Sequence, residues 1–177
     1  MSLRQAFLTG ALAAASLCVA GRAQEAGSQL RLIPSEIDAL SKTGSSAGTS
    51  GVSGIQTRVL KGDPTRAALY TIQLLVPANT RIESHNHPDD RVATVISGTW
   101  YFGYGPSFEE SRLKALPPGS FYTEPPNEPH FARTGNTAVV VQITGFGPTG
   151  TRYTEALRGA PSILTPLMET KHVQDQE

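Results

Sequence analysis

The chain has 177 residues, enough for one ordinary domain with a sizeable core and too few for two. Lys plus Arg and Asp plus Glu each total 15, so the formal charge is zero, which excludes a nucleic-acid binder that works through a basic patch. With 17 Gly, 13 Pro and 38% hydrophobic residues, the composition suits short strands broken by turns rather than a helical bundle, and the single cysteine, Cys18, leaves no intrachain disulfide.

The N-terminus reads as a secretory signal over residues 1–23. Arg4 supplies the positive charge, residues 6–20 are an apolar run without an ionisable group, and Gly21 and Ala23 suit cleavage after Ala23, with Ala20 as an earlier alternative. The run is shorter than the ~20 residues a membrane-spanning helix needs, and no later segment approaches that length, so no membrane span is expected after cleavage. Ala15 stands where a lipoprotein signal would have Leu, which argues against lipidation of Cys18. The mature chain keeps 13 basic against 15 acidic residues, once Arg4 and Arg22 are removed. The expected location is the periplasm or the exterior.

Residues 24–54 read as a short helix followed by a loop rich in Gly, Ser and Thr. The helix is expected over 33–40 with Ser35 as its cap, and the loop over 42–54 is expected to be mobile unless it is laid over the domain. From Ile55 the texture changes to strands. Runs rich in Val, Ile, Thr and aromatics at 56–60, 69–76, 91–96, 99–104, 120–124 and 138–144 alternate with turn clusters such as Pro77-Ala78-Asn79 and Pro125-Pro126-Asn127. A small helix is expected over 108–113. This spacing implies an all-β barrel or sandwich over residues 55–151, followed by a C-terminal extension over 152–177. His172 lies in that extension and reads as solvated.

Three of the four histidines fall at two strand edges: His85 and His87 in Ser84-His85-Asn86-His87-Pro88, and His130 in Glu128-Pro129-His130-Phe131. Side chains two apart on a strand share a face, so His85 and His87 can aim at one interior point that a ring from a distant strand would complete. Neutral imidazole is the commonest ligand for several transition metals, and three protein ligands leave positions open for chemistry. An H-x-H pair alone is equally compatible with hydrogen-bonded core residues.

The surrounding residues resemble the two sequence motifs of the cupin superfamily. His85, His87 and Gly98 match the first motif, and Gly119, Pro125 and His130 match the second. The resemblance implies a single-domain jelly-roll barrel with a short N-terminal helix. Asn79 and Asn127 replace motif glycines, a mild change because Asn tolerates positive φ, and Thr134 replaces the terminal Asn of the second motif. The larger departure is Arg91, which stands where the pattern has a metal-binding Glu.

Three arrangements follow from Arg91. In one, His85, His87 and His130 hold the metal and Arg91 faces them to pair with an anionic substrate. In another, Arg91 turns outward and a carboxylate substitutes, from Glu83, which shares strand parity with His85 and His87, or from Asp89, Asp90 or Glu124. In the third no metal binds and the imidazoles hydrogen-bond a ligand. A surface pairing of Arg91 with Asp89 or Asp90 is the bland alternative. We take Arg91 and Glu83 as catalytic candidates and iron as the first metal, with zinc, manganese or nickel as alternatives. The expected function is an exported metal-dependent enzyme, of dioxygenase or isomerase type, acting on a small anionic organic molecule. The alternative is a binding or sensing module without turnover. A homodimer is expected, and no nucleic-acid partner.

Overall fold

A computed structural model describes residues 29–154. The expected signal segment with Cys18 and most of the expected C-terminal extension with His172 lie outside the described residues. The first element is α1 (Pro34–Asp38), a five-residue helix. Ser35, expected as its cap, is inside the helix instead. Pro34 takes the first helical position, where its missing N–H costs nothing, and the Glu36 carboxylate reaches back to accept from the Ile33 N–H at 2.8 Å. The helix is tied to the barrel by Arg58, whose guanidinium donates to the Ile37 carbonyl at 2.8 Å and to Asp38 at 2.7 Å.

Among the described residues ten strands follow: β1 (Gln56–Lys61), β2 (Leu69–Val76), β3 (Arg81–Asn86), β4 (Arg91–Ser97), β5 (Trp100–Tyr104), β6 (Lys114–Leu116), β7 (Phe121–Glu124), β8 (His130–Thr134), β9 (Val139–Phe146) and β10 (Arg152–Tyr153). They form two five-stranded antiparallel sheets, ordered β1-β2-β9-β4-β7 and β10-β3-β8-β5-β6. The small helix expected over 108–113 is a 3-10 turn, Glu110–Arg112.

Alternation sets the faces. In β9, Val139, Val141 and Ile143 are buried, and Gln142 points the other way to pair with Gln73 at 3.2 Å. Tyr70, Ile72 and Val76 of β2, Val95 of β4, and Trp100 and Phe102 of β5 complete the layer between the sheets. Complete burial of an aliphatic side chain in that layer contributes about 1.5–3 kcal/mol.

The turns bear out the tolerance expected of asparagine. Asn79 and Asn127 have φ of 54° and 61°, in the left-handed region, as do Gly98 at 74° and Gly119 at 86°. Gly98 is fixed twice over, because a Cβ there would lie 2.4 Å from the Ala138 carbonyl oxygen. Thr134 ties the Pro77 turn to β8: its hydroxyl donates to the Pro77 carbonyl at 2.7 Å and accepts from the Thr80 N–H at 2.8 Å.

The Gly/Ser-rich loop is laid over the barrel mouth. Three successive carbonyls pin it: Gly48 accepts from Arg91 at 3.2 Å, Thr49 from Thr151 at 2.5 Å, and Ser50 from Tyr153 at 2.6 Å. Thr49 and Ser50 are buried as a result.

Candidate metal centre

Two cross-strand pairs, one from each sheet, face each other across the interior. In the first, His85 of β3 lies directly opposite His130 of β8. In the second, Arg91 of β4 lies directly opposite Glu124 of β7. His87, just past the end of β3, joins the first pair. The ring centroids are 4.5 Å apart for His85 and His130, 5.0 Å for His85 and His87, and 5.2 Å for His87 and His130. One nitrogen from each ring lies within 4.8 Å of the others, so the three form a group that can hold a metal ion.

The hydrogen bonds fix which nitrogens those are. Nδ1 of His85 faces the Glu83 carbonyl at 2.8 Å, Nδ1 of His87 the Gly150 carbonyl at 2.5 Å, and Nδ1 of His130 the Glu128 carbonyl at 3.2 Å. A carbonyl only accepts, so each Nδ1 carries the proton, and in the neutral ring Nε2 keeps its lone pair. Among the described residues, Nε2 of His87 and of His130 have no hydrogen-bond partner and are buried. A buried acceptor left that way is costly, and a metal ion satisfies it. Burial, then the charge of a protonated His130, push His85 down to about 3. Burial and the nearby guanidinium of Arg91 push His87 down to about 2, and burial lowers His130 as well. The rings are therefore neutral near pH 7, the form that ligates. The residues present fit a metal.

Glu83, expected as a catalytic carboxylate on the histidine face, is on the outer face. Its carboxylate takes the Arg81 Nε–H at 2.5 Å. The cause is a register shift in β3 between Ile82 and His85: Ile82 and His85 both point inward although three residues apart, so the parity that would have joined Glu83 to His85 is broken. Asp90 is exposed, and Asp89, although buried, accepts from the Tyr70 hydroxyl at 2.7 Å.

Arg91 points inward and is 2% exposed, which removes the surface-pairing reading. It does not face open space as an anion clamp would. Its Nε donates to Glu124 Oε2 at 2.7 Å, Nη2 donates to the same oxygen, and Nη1 reaches the Gly48 carbonyl at 3.2 Å and Thr149 at 3.4 Å. Glu124 is 4% exposed. Burial pushes its carboxyl up, but the guanidinium beside it outweighs that and holds it at about 2. The same Oε2 lies 3.9 Å from His87 Nε2 and 3.8 Å from His130 Nε2.

The remaining wall is apolar: Leu74, Ile82, Trp100, Phe102, Tyr122 and Ile143 line the cavity. Phe102 stacks on His130 with centroids 5.4 Å apart, which fixes that ring. Tyr122 was not singled out by the sequence; alternation from Glu124 in β7 is the signal that places it inward. Burial raises its hydroxyl pKa, so it stays protonated. The space between these side chains is about 20 Å³, room for one water or ion.

Two packed antiparallel sheets of this kind place the chain beside solved structures of cupin fold. A sugar phosphate isomerase of the cupin superfamily from Silicibacter pomeroyi superposes with a TM-score of 0.51 over 68% of this chain and 80% of its own, at 13% identity. The chain has the cupin fold. Other cupin-like matches are a DMSP lyase from Ruegeria pomeroyi (TM-score 0.49, 20% identity, 57% of this chain and 52% of that one) and a variant salicylate 1,2-dioxygenase from Pseudoaminobacter salicylatoxidans in complex with gentisate (TM-score 0.48, 14% identity, 58% and 30%). The chain thus spans about half the length of the lyase and under a third of the dioxygenase. No family model and no curated protein matches this cupin-fold chain.

Proposed function

We propose that this chain is an exported protein that binds a divalent metal, iron first, through His85, His87 and His130, and acts as a non-haem metal-dependent enzyme, of oxygenase or related type, on a small anionic organic molecule. The observation that carries the metal is the pair of buried, partnerless Nε2 atoms on His87 and His130, aimed inward while backbone carbonyls hold the opposite nitrogens. Three neutral imidazoles leave coordination positions open, and such an ion supplies Lewis-acid polarisation or oxygen activation when bound.

The preference for an anion follows from charge. Arg91 and Glu124, the formally charged groups on the cavity wall, cancel, and the rings are neutral. A divalent ion there would keep its full excess positive charge in an apolar surround, which favours an anionic ligand. The cavity of about 20 Å³ admits no organic molecule, so the segment Ser45–Gly51 over the mouth must shift for one to reach the rings. That closure favours the second reading, a protein that retains the metal without turnover.

Elemental analysis of the purified full chain against His85→Ala/His87→Ala tests the metal. About one equivalent that disappears in the double variant is expected. Equal metal content in both would overturn the reading.

A further inference from the structure

We propose that the cleft between the free edges of the two sheets is a second ligand site, which takes a small aromatic carboxylate and holds its charge with Arg112 and Lys114. The site lies outside the metal cavity and does not depend on the metal reading above.

The topology makes the cleft. β6 is the last strand of one sheet and β7 the last strand of the other, so on this side the sandwich is not closed by hydrogen bonds. The space between the two edges is about 390 Å³, within the ~300–1,000 Å³ of ordinary small-molecule sites. Phe102, Leu116 and Tyr122 line it from the core, and Phe121 and Tyr104 line it from the surface, 62% and 44% exposed. Two aromatic side chains held open to water on one concave surface offer apolar area that a flat ring covers.

Charge selects the ligand. The whole chain is formally neutral, yet the charged side chains that line this cleft are Arg112 and Lys114, and among the described residues no carboxylate lines it. Lys114 makes no ion pair among the described residues. Arg112 has a pair of 3.5 Å with Glu109, both about half exposed, which is a weak hold. Its guanidinium lies against Gly105, where a Cβ would come within 2.5 Å of Nη1, so the absent side chain is what seats the head there. A planar guanidinium and an ammonium beside aromatic rings suit a carboxylate carried on a ring.

Two neighbouring spaces are set aside on the same grounds. Tyr104, Arg112 and Thr123 also line a second space of about 500 Å³, but that one carries Glu128 and three prolines, and the carboxylate repels an anion. Tyr104 separates the two, its hydroxyl donating to the Thr123 carbonyl at 2.7 Å from one sheet to the other. Phe102 and Tyr122 line both the cleft and the metal cavity, with ring centroids 4.3 Å apart. That contact partitions the two, so a ligand in the cleft does not reach the imidazoles and needs no ion.

The test is calorimetric titration of the metal-free full chain with 2-naphthoate. Saturable binding is expected, and 2-naphthylmethanol, which has the ring without the charge, and cyclohexanecarboxylate, which has the charge without the ring, should each bind more weakly. Arg112→Gln and Lys114→Gln change exposed side chains and keep the fold; each should weaken naphthoate about fivefold, the upper end for an exposed charge pair, and reduce its salt dependence. Phe121→Ser should weaken it as well. Arg133→Gln, whose side chain pairs with Glu110 on the outer face, should match wild type. No saturable binding by wild type, or equal affinity in Arg112→Gln and Lys114→Gln, would overturn the proposal. So would an affinity that appears only after zinc is added, which places the ligand in the metal cavity. If wild type binds no naphthoate and Phe121→Ser turns a dimer into a monomer in sedimentation, the cleft is a contact between copies of the chain and the proposal fails.

Discussion

Replacing Arg91 with methionine isolates what the buried pair does for the fold. Methionine keeps the unbranched stem and omits the guanidinium head, so the main change is the loss of a positive charge and its donors, which leaves the Glu124 carboxylate 4% exposed without a counter-ion. The magnitude can be reached by two routes. Glu124 is held at about 2 against an ordinary 4.5, a linkage of roughly 3 kcal/mol at neutral pH. Removing one member of a buried ion pair costs about 3–5 kcal/mol in general. At about 4 °C per kcal/mol for a domain of this size, the melting temperature should fall by about 12–20 °C at pH 7. Glu124 has a depressed folded pKa, so its contribution is present above about 4.5 and fades as the pH falls towards 2; the gap between wild type and Arg91→Met should narrow over that window. The double variant Arg91→Met/Glu124→Leu removes both charges and should recover most of the loss. Thermal melts by circular dichroism at pH 7 and pH 3 measure all of this. A single variant as stable as wild type, or a double variant as unstable as the single, would refute the reasoning.

Acid sensitivity should also come from the imidazoles. His85 and His87 have folded values of about 3 and about 2, below the ordinary 6.5, so their contribution is complete above pH 6.5 and is lost as the pH falls. Metal-free protein should lose about 1–2 kcal/mol per ring by pH 5, and a flat melting profile between pH 7 and pH 5 would count against it. Tyr153→Phe and Thr151→Val each remove one tie to the cover, at Ser50 and at Thr49, and hydrogen exchange across residues 48–51 should speed up in both while the β9 amides are unaffected. Asn127 adopts φ of 61°, so Asn127→Gly should be neutral or slightly stabilising and Asn127→Val should cost about 1–2 kcal/mol in chemical denaturation.

The sequence showed the apolar strands and hid the ones that carry the site. β2, β4, β5 and β9 are dense in Val, Ile and aromatics and were readable within a residue or two. β3 is Arg-Ile-Glu-Ser-His-Asn and β8 is His-Phe-Ala-Arg-Thr, runs too polar to register as strands because imidazole rings take inward positions that aliphatics would otherwise fill. The convergence of His85, His87 and His130 was legible from spacing and motif. The side of the sheet that Glu83 occupies was not, because a bulge breaks strand parity and leaves no mark in composition. Glu124 was visible only as one of several carboxylates near turns. What singles it out is its register opposite Arg91, a tertiary fact that one strand's sequence does not contain.

The cover and the ion pair meet in Arg91, and that links access to electrostatics. One nitrogen of its guanidinium holds the cover at the Gly48 carbonyl, and the other two hold Glu124 against the rings. Displacing the cover therefore costs Arg91 a hydrogen bond at the moment the cavity opens and water reaches the pair. A neutral acceptor can replace that hydrogen bond but brings no charge. An anion of carboxylate or similar geometry does both, because it can accept from the released Nη1 while its charge would meet the excess positive charge of a divalent ion at the three rings. Opening and anion selection would then be set by a single side chain, fully buried and shared between two loads, at the position where the sequence departs most from the motif it otherwise resembles.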